Sequence, residues 1–418
     1  MSVAKRLHPL PREARSSEDT DAASPGTVGD VVSGAREGTP DRRLGMPAPF
    51  CEARVRAEGP DGTPDRVFCG LRVVYAVHGH GRGHASRAAA VVPGLLAAGA
   101  SVELAAPPEV FRVLAAAIDA GARPRHTVSL RRGPLAPVRL LGRALSTARE
   151  SLRRADLVVS DGDQGALLAA RVRRLPSLAI GHDLVFAPGI APDGLPMAPR
   201  FVQQINGLPL LAATRGVAVH FLPMPYPSTV PPRNTGHGLG AWMRRRIRLA
   251  RPDLADLPPA ATAADGPIVA YGEAAAVEPV LDALERLGEP VIAFGIPGPE
   301  RRRLVRRPIE RASFVSALAA ASAVVSTFGS NVIAECVALG KPLVGVLVAG
   351  HDEQRLNAAL CVRASIAVVL TSANDAHVAR ALERARGGAL RRIDLRACLP
   401  PLSRVALEEI KWLASTTS

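Results

Sequence analysis

Aromatic residues make up only 3% of this 418-residue sequence, against 47% apolar residues overall. The apolar content is mostly Ala, Val and Leu, which suits helices packed on buried parallel strands better than an aromatic-rich β-sandwich. So few rings also argue against a nucleic-acid partner, because base stacking would need them. Cysteine is scarce too: Cys51, Cys69, Cys336, Cys361 and Cys398 are widely spaced and form no C-x-x-C. That excludes a disulfide framework or a zinc ribbon and fits a reducing compartment. No uncharged apolar stretch reaches the ~20 residues that a spanning helix needs. The amino-terminal stretch has basic residues but not the apolar segment of a secretory signal. The expectation is a cytoplasmic protein, at most peripheral at the inner face of a membrane.

Positive charge is abundant, at +14 net with 52 Lys and Arg against 38 Asp and Glu. Such a balance favours an anionic partner. Segment 123–154 carries nine Arg and one Glu. It reads either as a surface for anionic membrane or a lipid-linked acceptor, or as a solvated basic loop and helix. Residues 1–70, rich in Pro, Gly, Ser, Asp and Arg without sustained period, are expected to be a disordered extension.

From Leu71 the pattern alternates. LRVVYAV, SVELAAP, ADLVVSDGD and PSLAIGHD read as strands, each followed by a polar turn and, in most cases, a helical run. After a Pro-rich, basic stretch at 223–264, read as an interdomain connection, the rhythm resumes with PIVAYG, EPVIAFGIP, AVVSTFG and KPLVGVLV. Two doubly wound α/β domains follow, at 71–222 and 265–402, with an amphipathic helix at 403–418. Ligands of open parallel sheets sit beyond the carboxyl ends of the strands. The candidates are therefore the strand-end polar residues, His78–His84, Asp161, Asp163, His182, Asp183, Gly272, Glu273, Phe328–Asn331 and Gly350–Gln354.

The first glycine loop, HGHGRGHASR at 78–87, admits three readings. As a dinucleotide turn it would pair with Glu103 as ribose acid, but its spacing is G-x-G-x-G and not G-x-G-x-x-G. As a metal site it would use His78, His80 and His84 with His182 or Asp183, on glycine-flanked ligands that little would hold in place. As a backbone platform under a sugar or phosphate, Gly81 and Gly83 shape the turn. His84 then faces the cleft from the first turn of a helix, where the dipole favours neutral imidazole, the form a general base needs. Helix capping or packing is the bland role for the same histidine.

The second half holds the more specific text, VVSTFGSNVIAECVALGKPLVGVLVAGHDEQRLNA. A strand runs into Gly329, Ser330 and Asn331 at a helix start, an anion site suited to a diphosphate. Glu335, a turn later, is placed to accept from a ribose diol, and Glu353 and Gln354 to meet sugar hydroxyls.

The pattern G-S-N-x-I-x-E-x-x-x-x-G-K-P followed by E-Q-x-x-N-A resembles the donor half of GT-B glycosyltransferases. It is nearest to the group of the peptidoglycan lipid-intermediate N-acetylglucosaminyltransferase and related uncharacterised transferases. V-H-G-x-G-R-G-H-A-S-R is similar to the amino-terminal loop of that group. The resemblance covers about residues 71–415 and implies two Rossmann-like domains facing a cleft, with the last helix crossing back to the first domain. It implies an inverting, metal-independent transfer from a UDP-linked nucleotide sugar to an acceptor hydroxyl, with no cofactor. The strand-end D-x-D of metal-dependent transferases is absent; Asp161-Gly-Asp163 is the nearest mimic and lies in the acceptor half.

By position, His84 corresponds to the base, with Asp161 as its partner. Ser330 and Asn331 correspond to the phosphate contacts, Glu335 to the ribose acid, and Glu353 and Gln354 to the donor-sugar contacts, with Gly81, Gly83, Gly272 and Gly329 as donor-binding loop glycines. Two departures stand out: Phe328 replaces a glycine at the phosphate turn, and His80 stands where relatives often carry an acid. A nucleotide-sugar epimerase, a non-catalytic nucleotide-sugar-binding protein and an NAD-dependent oxidoreductase are the alternatives.

Overall fold

Short β-branched runs, too apolar to lie at a surface, form the spine of the fold. In the computed structural model the described residues are 67–79, 82–127, 142, 152–192, 194–207, 212–223, 239–258 and 265–416. Most of segments 1–70 and 123–154, with Gly81 and His80, lie outside them.

The first sheet is parallel, with strands β1 (Arg72–Val77), β2 (Ser101–Ala106), β3 (Arg123–His126), β4 (Leu157–Asp161), β5 (Ser177–Gly181), β6 (Arg215–Val219) and β7 (Ile247–Ala250). Their spatial order is β3-β2-β1-β4-β5-β6-β7. The chain builds outward from β1 on one side and then returns to start the other side at β4. The sheet's switch point therefore falls between β1 and β4. Helices α1 (Arg82–Ala97), α2 (Gln164–Val172), α3 (Met197–Asn206) and α4 (Leu239–Arg246) belong to this half.

The second sheet repeats the plan. Strands β8 (Ile268–Tyr271), β9 (Val291–Phe294), β10 (Leu304–Arg307), β11 (Ala323–Ser326), β12 (Leu343–Val346) and β13 (Ala367–Leu370) are parallel. Their order is β10-β9-β8-β11-β12-β13, with the switch point between β8 and β11. Its helices are α5 (Ala274–Arg286), α6 (Arg311–Ala320), α7 (Ser330–Leu339), α8 (Asp352–Arg363) and α9 (Asp375–Arg386). Two parallel sheets, each flanked by helices, make the two-domain GT-B architecture.

The stretch 223–264, expected to be only a connection, supplies α4 and the outermost strand of the first sheet. Strand β7 pairs with β6 from Gly216↔Ile247 to Val219↔Ala250. Its sequence, IRLA, follows three arginines, so solvated charge obscures an edge strand. The last helix, α10 (Leu402–Thr416), buries Leu402, Val405, Ile410 and Leu413 in the first domain's core. Each such side chain contributes roughly 1.5–3 kcal/mol of burial free energy. Glu409, also buried, ties this helix to Arg215 on β6 at 2.6 Å and to Arg248 on β7 at 3.1 Å. One apolar cluster runs on from Phe186, Phe221 and Leu222 of the first half into Phe328, Leu356 and Leu360 of the second. The two domains therefore share a core, and α3 packs on α8 across the seam.

Candidate active site

The site grows from the two switch points. At the first, β1 and β4 are tied beyond their ends, where His78 N–H donates to the Asp161 carbonyl at 3.0 Å. Asp161 is the last residue of β4 and fully buried. His84, in the first turn of α1, puts Nδ1 2.7 Å from Asp161 Oδ1. Arg87, one turn on and on the same helix face, grips the same carboxylate through Nη2 at 2.6 Å and Nε at 3.0 Å. Arg87 Nη2 also lies 2.8 Å from His84 Nδ1. Of these two contacts at Nδ1, the carboxylate decides the tautomer, since a bare lone pair 2.7 Å from an anion costs more. Nδ1–H therefore donates to Asp161 and leaves Nε2 with its lone pair.

Burial by itself would raise the Asp161 carboxyl; the charge of Arg87, with help from His84, outweighs it and holds the group below the ordinary range. Gly162 completes the cradle with φ 72°, and a side chain there would meet His84 Nδ1 at 2.7 Å. Only glycine allows both that turn and the close approach of the ring.

At the second switch point, among the described residues, Gly329 caps α7 without a side-chain cap bond, so the first N–H groups of the helix suit an anion. Gly272, after β8, packs on Thr327. Phe328 takes the left-handed φ of 47°, and its ring is fully buried against Gly345, turned away from the helix start. The large residue at the phosphate turn thus leaves the turn's outer face clear.

Glu335 is buried within α7 and ion-paired with Arg311 at the start of α6. Arg311 is held in turn by both oxygens of Asp256, at 2.6 and 3.1 Å. Burial raises the Glu335 carboxyl, and Arg311 only partly offsets this.

The two switch points face each other. A Cβ added to Gly83, in the first turn of α1, would meet Asn331 Nδ2 of α7 at 3.4 Å. A cavity of about 620 Å³ opens beside this contact, with Ser86, Arg87 and Arg112 on one wall and Asn331, Arg311 and Glu335 on the other. Of the expected site residues, Asn331 and Glu335 line it, while His84, Asp161, Gly83, Gly272, Gly329, Ser330, Glu353 and Gln354 do not. Glu353 and Gln354 occupy the first turn of α8, and among the described residues Gln354 Oε1 is buried with no hydrogen-bond partner.

Glu103 sits in mid-strand on β2, bonded to Arg125 at 3.4 Å, and not at the strand end where a dinucleotide ribose acid belongs. Among the described residues, no group of three or more His, Cys, Asp and Glu side chains converges as a metal site. His78 and His84 instead stack, with ring centroids 5.5 Å apart.

Two functional partners are not singled out by the sequence reading. Arg87 carries a signal, the i, i+3 spacing from His84 that places both on one helix face. Arg311 carries none, since its partners Asp256 and Glu335 are distant in the chain.

A family model described as Glycosyl transferase family 1 matches residues 240–385. Among curated proteins, none matches the chain. The fold is similar to that of UGT2 from Phytolacca americana, solved with UDP-2fluoro-glucose and pterostilbene, at TM-score 0.59 and 13% identity over 84% of this chain and 99% of that one. It is similar to MurG of Acinetobacter baumannii at TM-score 0.51 and 17% identity, over 82% and 99%. It is also similar to a putative UDP-N-acetylglucosamine 2-epimerase from Listeria monocytogenes at TM-score 0.55 and 12% identity, over 82% and 96%. At these identities the likeness establishes the GT-B fold and does not single out the peptidoglycan enzyme's group.

Proposed function

We propose that the chain is a glycosyltransferase that moves a sugar from a nucleotide sugar, with uridine diphosphate as carrier, to an acceptor hydroxyl. The observation that carries this reading is the meeting of the two switch points. Gly83, next to the His84–Asp161 pair, meets Asn331 at the start of α7, and a cavity opens between the domains beside that contact. The family match over the second half supports it.

His84 Nε2 takes the proton of the acceptor hydroxyl as its oxygen attacks the anomeric carbon from the face opposite the leaving group. The configuration inverts. Asp161 keeps the ring in the tautomer with Nε2 free and offsets the imidazolium that forms. The N–H groups at the start of α7 offset charge building on the departing diphosphate. Glu335 accepts from the ribose hydroxyls, and Gln354 Oε1 from a donor-sugar hydroxyl. No step assigned to these residues requires a metal ion. A cytoplasmic location, with the basic segment 123–154 against an anionic membrane carrying a lipid-linked acceptor, belongs to the same proposal.

Incubation with UDP-sugars and a panel of hydroxyl acceptors tests it. Release of uridine diphosphate together with a glycosylated acceptor is the expected result. An epimerised sugar without acceptor dependence would move the chain to the epimerase reading.

A pH effect follows from Glu335. Its carboxyl titrates above the ordinary range because it is buried, so donor affinity falls as pH drops through that raised range and the carboxylate is lost. Arg311→Met removes the cation that opposes this, and the loss of affinity moves to higher pH. Titrations of the donor against both proteins between pH 5 and 8 check the direction.

A further inference from the structure

The dyad and the cavity leave one buried polar joint unused. His182 follows the end of β5 in the first domain and is 2% exposed; Asn357 lies on α8 in the second and is fully buried. His182 Nδ1 is 2.8 Å from the carbonyl oxygen of Val219, and Nε2 is 2.7 Å from Asn357 Oδ1. Asn357 Nδ2 donates in turn to the carbonyl of Phe328 at 3.0 Å. The chain of contacts thus runs from the first sheet, across the domain seam, to the left-handed residue that sets the start of α7.

Counting protons shows what this chain requires. Both ends are carbonyl oxygens, which only accept. A neutral imidazole supplies one ring N–H, so one of the three contacts would lack a proton. Turning the Asn357 amide over does not help, because its oxygen would then face the Phe328 carbonyl. All three contacts are satisfied only when both nitrogens of His182 carry a proton. Two charge-assisted hydrogen bonds then offset the cost of burying the charge.

Two aromatic rings and two titratable groups surround His182. Phe221 stacks on His182 at 5.4 Å between centroids and Phe186 meets it edge-on at 5.3 Å. The titratable groups nearby are His220, stacked at 6.1 Å from the end of β6, and Asp183, the next residue in the chain. Burial first, and then His182, hold the His220 ring well below its ordinary value, so it stays neutral. The Asp183 carboxylate leans over Gly181, where a Cβ would meet it at 3.2 Å.

We propose that His182 is a positioning residue for the donor site: it reaches across the seam through Asn357 to fix the Phe328 turn and so aims the start of α7 at the donor diphosphate. The inference rests on the donor-site reading above. Donor affinity should therefore depend on a residue of the opposite domain that does not touch the donor.

The full chain is titrated with UDP-glucose and UDP-N-acetylglucosamine as wild type, His182→Gln, Asn357→Asp and the double variant. Asn357→Asp still accepts from His182 but no longer donates to Phe328. The expected result is at least a tenfold loss of affinity in each single variant and no further loss in the double, the mark of one coupled path. Wild-type affinity in His182→Gln, or losses that simply add, overturns the proposal.

Should a variant fail to fold, the ring nitrogens of His182 in the wild type decide by NMR at pH 7. Two protonated nitrogens support the joint and one protonated nitrogen overturns it. A wild type that binds neither sugar overturns the donor-site reading, while the ring nitrogens still report on the joint itself.

Discussion

Replacing His84 with alanine lowers kcat by about 10²–10⁴-fold, the range that a positioned general base contributes. Affinity for the nucleotide sugar stays within about twofold, because the donor contacts lie on the other domain. The ring has Nδ1 2.7 Å from a buried carboxylate and about a fifth of its side chain exposed.

Asp161→Asn reduces turnover similarly and also destabilises the fold, since Arg87 then remains buried without its anion. Breaking a buried pair in this way costs about 3–5 kcal/mol. Arg87→Met gives the complementary case. The Asp161 carboxyl lies below its ordinary value in the native chain, so its contribution to stability is complete above the unfolded carboxylate's value of about 4. It is lost as pH falls through the lower native value. In Arg87→Met burial is left almost unopposed, so the native carboxyl titrates above its unfolded value and stability instead falls as pH rises through that raised range. Thermal melts of the three proteins between pH 4 and 8, with steady-state kinetics on His84→Ala, check these outcomes. An unchanged kcat in His84→Ala would remove the base assignment.

Gly345→Ala is expected to cost about 3 kcal/mol or more, at or beyond the upper end of the usual overpacking penalty. An added Cβ there falls on the Phe328 ring, with Cε1 2.6 Å away and two further ring atoms nearer still. The ring is fully buried and Gly345 lies in β12, in register with Ser326 of β11 and Val369 of β13, so neither side gives way easily. What yields is the turn at Phe328, and nucleotide-sugar affinity falls with stability. Phe328→Gly makes room for the methyl group and relieves the left-handed backbone, at the cost of an emptied ring site. The double variant should therefore be more stable than the sum of the two single losses, by 1 kcal/mol or more on the scale of coupled neighbours. Denaturant unfolding of all four proteins measures this. Strict additivity would mean that the ring does not fill the space at Gly345.

The strands that flank both switch points are legible in the sequence because they are short apolar runs, such as VVYAV in β1 and AVVS in β11. Strands β3 and β10 are hidden by their own charge, since RPRH and LVRR lie at sheet edges where solvent takes one side. The glycine loop and the Gly-Ser-Asn turn point to strand ends, and the parallel-sheet rule places them at one rim. Sequence does not reveal which distant side chains meet. The pairing of Arg311 with Glu335, the joint of His182 with Asn357 and the lodging of Phe328 against Gly345 all depend on packing between remote elements. Phe328 is the instructive case. Read along the chain it is an obstacle at the phosphate turn, and in the fold its ring points into the core.

On the proposed reading, the second domain binds a nucleotide sugar through α7 and Glu335. A thermal-shift panel of uridine, thymidine, guanosine and adenosine diphosphates, free and sugar-linked, with NAD and zinc alongside, tests it most directly. Stabilisation by uridine diphosphate and its sugars, lost in Glu335→Ala, is the expected result. A response to NAD or zinc alone, or one that Glu335→Ala leaves intact, would contradict it.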